Sequence, residues 1–214
     1  SLLRLVLQNM GLPTSCLMPS ELACPANGLK ATAKTYDLNK ARALLAQAGY
    51  AQGFEVTLDC PNNRYIQDAA ICTAIAGMLA KVNIRVKVQA VPKAQFFKKL
   101  EQLESRFYLL GWGGAETDAQ PTLDTLMHSF NAATSQGIDN YGRFENTELD
   151  ALIDRAAHTN DAHQRQRWIA QALQIHAEQT HHLLLYRQKL TWVSRANVKT
   201  VLGGNNHFRA WLTA

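Results

Sequence analysis

Most signatures of the common functional classes are missing from these 214 residues. No apolar run approaches the roughly 20 residues that a membrane-spanning helix needs, and the opening SLLRLVLQNMGLP has neither the length nor the small-residue cleavage site of a secretory signal. There is no G-x-S-x-G elbow, no H-E-x-x-H and no P-loop, and Gly111-x-Gly113-Gly114 lacks the spacing of a dinucleotide fingerprint. An enzyme reading therefore has no anchor. The 4 cysteines include no C-x-x-C, which argues against a zinc site built from thiolates. Despite a net charge of +5, the basic residues are scattered, with Lys98-Lys99 and the Arg85/Lys87 pair as the tight groups. Arg85 and Lys87 alternate with Ile84, Val86 and Val88 as on the wet face of a strand, so nucleic acid is set aside as a partner. Internal repeats and low-complexity segments are lacking as well.

What is present is an ordinary globular composition, 47% hydrophobic and 18% charged, sufficient for one sizeable core or two small ones. Leu2, Leu3, Leu5 and Val6 begin at once with helical spacing and no cap ahead of them, so the chain is expected to be cut from a longer one. Pro13, Pro19, Pro25 and Gly28 make the remainder of residues 1–36 a loop-rich linker, and the main domain is expected to run over 37–214. Asp37 caps the helix LNKARALLAQA, whose Ala41, Leu44, Leu45 and Ala48 share a face, and Gly49 supplies a left-handed stop.

Residues 54–60 alternate Phe54, Val56, Leu58 and Cys60 against Glu55, Thr57 and Asp59, the period of a strand with one dry face. The turn Pro61-Asn62-Asn63-Arg64-Tyr65 breaks it, and Ile71, Ile75, Met78, Leu79 and Val82 then recur at helical spacing before a second strand over 84–91. A second helix opens at Pro92 with Phe96, Phe97, Leu100 and Leu103 toward the sheet, followed by an unbroken apolar run over 107–112. That run reads as the central strand of a covered parallel sheet, completing a βαβαβ core in an α/β chain. Both loops that leave carboxyl ends, 61–65 and 111–118, are then expected on one edge. Further along, Asn146 and Asp161 start two helices, with Leu149, Leu152, Ile153 and Ala156 inward on one and Trp168, Ile169, Ala172, Leu173 and Ile175 on the other. Residues 182–186 and 190–194 look strand-like, and Phe208 and Trp211 close the chain as packing residues.

The candidate chemistry lies on that carboxyl edge. Trp112, Gly113, Gly114, Glu116 and Asp118 combine a flat apolar wall, a backbone free to approach a ligand, and carboxylates able to hold an ammonium group. Across the edge, Asn62, Asn63, Arg64 and Tyr65 read equally well as ligand contacts or as a turn followed by a helix cap. His176, His181 and His182 lie near Glu178, but a helix end and an alternating strand should turn their side chains apart, so no metal and no cofactor is expected. Asp150 and Asp154, one turn apart, are explained by a solvated helix face. Cys60 with Cys72, and Cys16 with Cys24, could form disulfides or serve as buried thiols; spacing leaves both open.

A family resemblance rests on five stretches: YDLNKARALLAQAGY at 36–50, GFEVTL at 53–58, MLAKVNIRV at 78–86, Leu110-Gly111-Trp112, and LDALI at 149–153. From about Tyr36 onward the chain resembles the carboxyl-terminal half of family 5 extracytoplasmic solute-binding proteins, the dipeptide, oligopeptide and nickel receptors of bacterial ABC importers. The resemblance implies one lobe, of the type II periplasmic-binding-protein kind, in a two-lobed monomeric receptor. Such a receptor captures a peptide or peptide-like solute in the periplasm and delivers it to a membrane permease. It also implies periplasmic disulfides, Cys60 to Cys72 above all. Peptide-binding members carry an aspartate three residues after the Trp of the Gly-Trp motif; here that position is Ala115. A receptor-like module that binds a partner protein or a non-peptide solute for regulation is the alternative.

Overall fold

Capping chemistry sets the helix starts where the sequence places them. The Asp37 carboxylate accepts from the amides of Asn39 and Lys40 to open α2 (Leu38–Gln47), Asn146 accepts from Leu149 to open α6 (Thr147–Ala157), and Asp161 accepts from His163 and Gln164 to open α7 (Ala162–Gln179). Gly49, at φ +85°, follows α2 in the left-handed conformation expected of it. The computed structural model describes residues 2–18, 36–113 and 118–198. Its chain divides into two units, Ser1–Gly11 with Lys34–Trp112 and Leu12–Ala33 with Gly113–Ala214. Within the stretch read as a linker, the described residues hold a one-turn helix, α1 (Leu2–Leu5), and a two-residue strand, β1 (Gly11–Leu12).

The first unit is built on β2 (Phe54–Pro61), α3 (Asp68–Leu79), β3 (Ile84–Val91) and α4 (Lys93–Glu101). β2 and β3 run parallel in the register Phe54↔Ile84 through Pro61↔Val91, the outcome expected of a strand-helix-strand unit. On one face Leu58, Cys60 and Cys72 are buried, with Ile75, Val86, Val88, Phe107 and Leu109 packed against them. Cys60 and Cys72 form a disulfide that ties the end of β2 to α3. Cys16 is also disulfide-bonded, while Cys24 lies outside the described residues.

The run 107–112 is not the central strand. It contributes one parallel bridge, Tyr108 with Asp59, through Asp59 N to Phe107 O (2.9 Å) and Leu109 N to Asp59 O (3.0 Å). The centre is β2, with β3 on one side and the 107–109 segment on the other. α3 carries the chain from β2 out to β3, and α4 returns it past β2, so the direction of winding reverses at the carboxyl end of β2. The return also changes the other face. Asp59, placed on a wet face by alternation, is 3% exposed because α4 covers it: Lys99 Nζ and Ser105 Oγ each approach its carboxylate to 2.6 Å.

The expected inward face of α2 is not buried. Leu44 is 54% exposed, and no α2 residue is buried. In the second unit α6 and α7 pack through Leu149, Leu152, Ile153 and Ala156 against Ile169, Ala172 and Leu173, as their spacing predicts. The stretch before Asn146, to which the sequence assigns no element, holds a short helix, α5 (Gln120–Thr122), running into a π-helical turn, Leu123–Met127, that buries Leu123, Leu126 and Met127. Residues 182–186 and 190–194 are not strands; the strand found here is β4 (Arg187–Gln188). Phe208 and Trp211 lie outside the described residues. No helix among the described residues is long and apolar enough to cross a membrane.

The Asp59 arrangement carries a stability prediction. Lys99→Met removes the cation and leaves a buried carboxylate held mainly by Ser105, which should cost about 3 kcal/mol in urea unfolding. A loss below about 1 kcal/mol would show that water or a rearranged side chain replaces Lys99.

Candidate functional site

The reversal of winding beside β2 leaves a crevice position at the carboxyl edge of the sheet, where ligands of open α/β sheets bind. Two chain segments meet there. The turn after β2 is organised by Asp68, 4% exposed, whose Oδ2 accepts from Arg64 N (2.9 Å) and Tyr65 N (3.0 Å) while Oδ1 accepts from Ala69 N. Asn63 Oδ1 accepts from Lys93 N at 2.7 Å and thereby holds the start of α4. Tyr65 then reaches across to the second segment, its hydroxyl donating to Gly111 O at 3.2 Å. Burial of the ring raises the Tyr65 pKa, so the phenol stays protonated and remains a donor.

Gly111 is required by that approach. A Cβ placed there would lie 2.5 Å from Tyr65 Cε1. Next to this junction Trp112 is 39% exposed, and the Arg64 guanidinium sits 5.1 Å from the Tyr65 ring centroid. Arg64 makes no ion pair among the described residues. The edge of this unit thus offers an exposed indole, an aromatic-supported cation and the exposed Asn62, over a turn whose Arg64 and Tyr65 amides are already satisfied by Asp68. Of the candidates on this side, Asn63 is spent on the fold, while Arg64 lies over the Tyr65 ring and Tyr65 bonds Gly111, the residue before Trp112. Asp68 and the Tyr65–Gly111 contact were not anticipated; Tyr65 followed at a distance by a glycine carries no sequence signal, because the pairing is 46 residues long.

The acidic side of the candidate loop is placed differently. Asp118, in the second unit, receives both Arg165 Nη1 (2.5 Å) and Nη2 (2.7 Å), and its Oδ1 also accepts from Gln120 N at 2.7 Å. Arg165 in turn donates Nε to Ala156 O at 3.1 Å. The Arg165 hydrogen bonds hold the Asp118 carboxyl below its ordinary range and raise the guanidinium. Asp118 is therefore an internal fastener with its charge already matched. Gly113 is exposed; Gly114 and Glu116, with Ala115, lie outside the described residues.

The histidines correct another expectation. His176 and His182 do not diverge: Nε2 of the first lies 2.6 Å from Nδ1 of the second, with the rings stacked at 4.9 Å, because residues 181–186 are not a strand. His181 stacks instead on Phe144 at 3.9 Å. Burial, then the neighbouring histidines, push His176 down to about 3, and burial followed by His181 pushes His182 down to about 4. Among the described residues no group of three or more ligating side chains could hold a metal ion.

Against this geometry stand the comparisons with known proteins. Residues 1–134 match the bacterial extracellular solute-binding proteins, family 5 Middle. The chain belongs to that family. It is 28% identical over 180 residues to the dipeptide-binding protein of Escherichia coli K12, covering 81% of this chain and 33% of that protein. It is also 29% identical over 145 residues to heme-binding protein A of Haemophilus influenzae, covering 64% and 25%. The crystal structure of a dipeptide binding protein from Pseudoalteromonas sp. SM9913 in complex with Met-Leu superimposes with a TM-score of 0.83 at 21% identity, over 97% of this chain and 41% of that one. The fold is that of type II periplasmic binding proteins, as the resemblance implies. The chain spans a third or less of the curated relatives named here.

Two predictions follow from the site. Gly111→Ala should drive the Tyr65 ring out of place and destabilise the first unit by about 1–3 kcal/mol, and Tyr65→Ala in the same chain should relieve most of the added clash. For the buried imidazoles, the unfolded chain takes up protons near pH 6.5 while the folded pair resists until about 3 to 4. Their contribution is complete above pH 6.5 and declines as the pH falls, by up to about 1.4 kcal/mol per pH unit for each histidine. Urea midpoints between pH 7 and 5 should fall less steeply in His176→Gln/His182→Gln than in the parent; equal slopes would count against the pair.

Proposed function

We propose that this chain forms one ligand-binding lobe of an extracytoplasmic receptor that serves a bacterial ABC importer, capturing a peptide or peptide-like solute without transforming it. The observation that carries the reading is the Tyr65–Gly111 junction at the carboxyl edge of β2, which joins the turn bearing Arg64 to the segment bearing Trp112 at an edge where α/β sheets hold ligands. Membership in a family of solute-binding proteins supports it, as does the naming of relatives for dipeptide and heme.

In this reading Trp112 gives a flat apolar wall, Arg64 pairs with an anionic group of the solute, and Asn62 supplies an amide to a polar edge. Gly113, Gly114 and Glu116, which follow Trp112 in the sequence, are the further candidate contacts. The receptor acts in the periplasm as a monomer, closes on the solute by rotation of lobes about a hinge, and passes it to a permease in the membrane. One observation favours a solute other than an ordinary peptide: the Asp118 carboxylate is neutralised by Arg165, which leaves it ill suited to hold a free amino terminus.

The test uses the complete receptor, purified gently and then denatured, with mass spectrometry of whatever small molecule is released. A peptide population supports the peptide reading, a single non-peptide solute moves the chain to another substrate class, and a partner protein retained without any solute supports the regulatory alternative. With the solute identified, Trp112→Ala in the complete receptor should weaken binding at least about tenfold, as loss of one stacking or packing contact of 1–3 kcal/mol does. Unchanged affinity would remove Trp112 from the site.

A further inference from the structure

Charge is divided unevenly between the two edges of the first unit. Its acidic residues are Asp37, Glu55, Asp59, Asp68, Glu101 and Glu104. Asp37 caps α2, and Glu55, near the amino end of β2, pairs with Arg85 at 2.9 Å. Asp59 and Asp68 are buried and already spent, the first on Lys99 and Ser105, the second on the amides of Arg64, Tyr65 and Ala69. Glu101 and Glu104 lie where α4 ends, at the amino edge, because α4 returns antiparallel to the strands. No carboxylate of this unit is left over for the carboxyl edge.

Cations, by contrast, are present there. Arg64 and Lys93 are both exposed residues of that edge, Lys93 being placed by its own amide, which donates to Asn63 Oδ1. Neither makes an ion pair among the described residues. The Tyr65 ring supports the guanidinium at 5.1 Å, and its hydroxyl is already donated to Gly111 O. In an open receptor, water solvates these charges. Closure of two lobes around a solute takes that water away, and a guanidinium so desolvated is strongly disfavoured unless an anion meets it. An ammonium group finds the reverse situation, two cations and no counter-charge.

We propose that, granted the receptor reading on which this rests, the solute is an organic carboxylate without a free ammonium group, of the kind an N-acylated peptide acid represents, with its carboxylate on Arg64. The planar guanidinium offers paired N–H donors that match the two oxygens of a carboxylate. Tyr65, bonded to Gly111, supplies the support on which that fork rests, so the cation is held in place before the solute arrives. A zwitterionic peptide brings a second charge for which the described residues of this edge hold no partner.

The test is calorimetric titration of the complete receptor, freed of any native solute, with Met-Leu, the dipeptide held by the Pseudoalteromonas protein, with N-acetyl-Met-Leu, and with N-acetyl-Met-Leu amide. The acetylated acid should bind at least as tightly as Met-Leu, and its amide about tenfold more weakly, the scale of one hydrogen bond to a charged group. Arg64→Gln should bring the acid down to the level of the amide. Met-Leu binding about tenfold tighter than N-acetyl-Met-Leu would overturn the proposal and point to Glu116 as the partner of the amine. An acid-to-amide ratio near one, or one that survives Arg64→Gln, would overturn it as well; both results leave the receptor reading standing. If none of these probes binds, the molecule released from the gently purified receptor decides: an acid without a primary amine upholds the proposal, and a primary amine or the lack of an acid group overturns it. A receptor that binds no probe and releases no solute would remove the receptor reading, and this proposal with it.

Discussion

The first unit depends on what surrounds one residue. The backbone of Asp59 makes both hydrogen bonds to the 107–109 segment, and its side chain holds Lys99 of α4 and Ser105 of the turn that follows. A carboxylate taken out of water is tolerable only when its charge and lone pairs are met, and here an ammonium and a hydroxyl meet them. Because these partners lie 40 and 46 residues away, satisfying Asp59 forces α4 back across β2 and brings the third segment alongside it. The reversal of winding, and with it the position of the candidate edge, follows from that closure.

At the edge the same economy of partners recurs. Asp68 absorbs the amides of Arg64 and Tyr65, Asn63 absorbs the first amide of α4, and Tyr65 spends its hydroxyl on Gly111. With those groups used internally, the edge still exposes Asn62, a guanidinium resting on a ring and part of the Trp112 indole. A Cys60–Cys72 bridge beneath the turn restrains the strand end from which these groups project. The disulfide, expected on the strength of the family resemblance while spacing left it open, also shortens the unfolded chain's freedom across this same turn.

In the second unit, polar groups that look like surface from the sequence are the joints of the structure. Asp118 belongs to Arg165 on α7, Asp150 and Asp154 belong to the loop before α6, and His176 belongs to His182. In each case the partner comes from a different element, and periodicity along one helix cannot reveal it. The apolar faces of α6 and α7 are the opposite case, since burial there needs only a stripe at helical spacing.

Local chemistry therefore determined much of this protein from its sequence. Asp37, Asn146 and Asp161 announced helix starts because a cap needs only a side-chain oxygen and the next few amides, and the alternation in residues 54–60 and 84–91 announced two strands whose parallel pairing a crossover helix dictates. Leu149, Leu152, Ile153 and Ala156 were legible as core for the same reason. Only tertiary structure decided which strand lies at the centre, that Asp59 is buried, and that Leu44 is not. The same holds for the meeting of Tyr65 with Gly111 and of Asp118 with Arg165. Each of those depends on a group satisfied by another far along the chain, and the energy of such a contact is invisible until the fold has brought its two halves together.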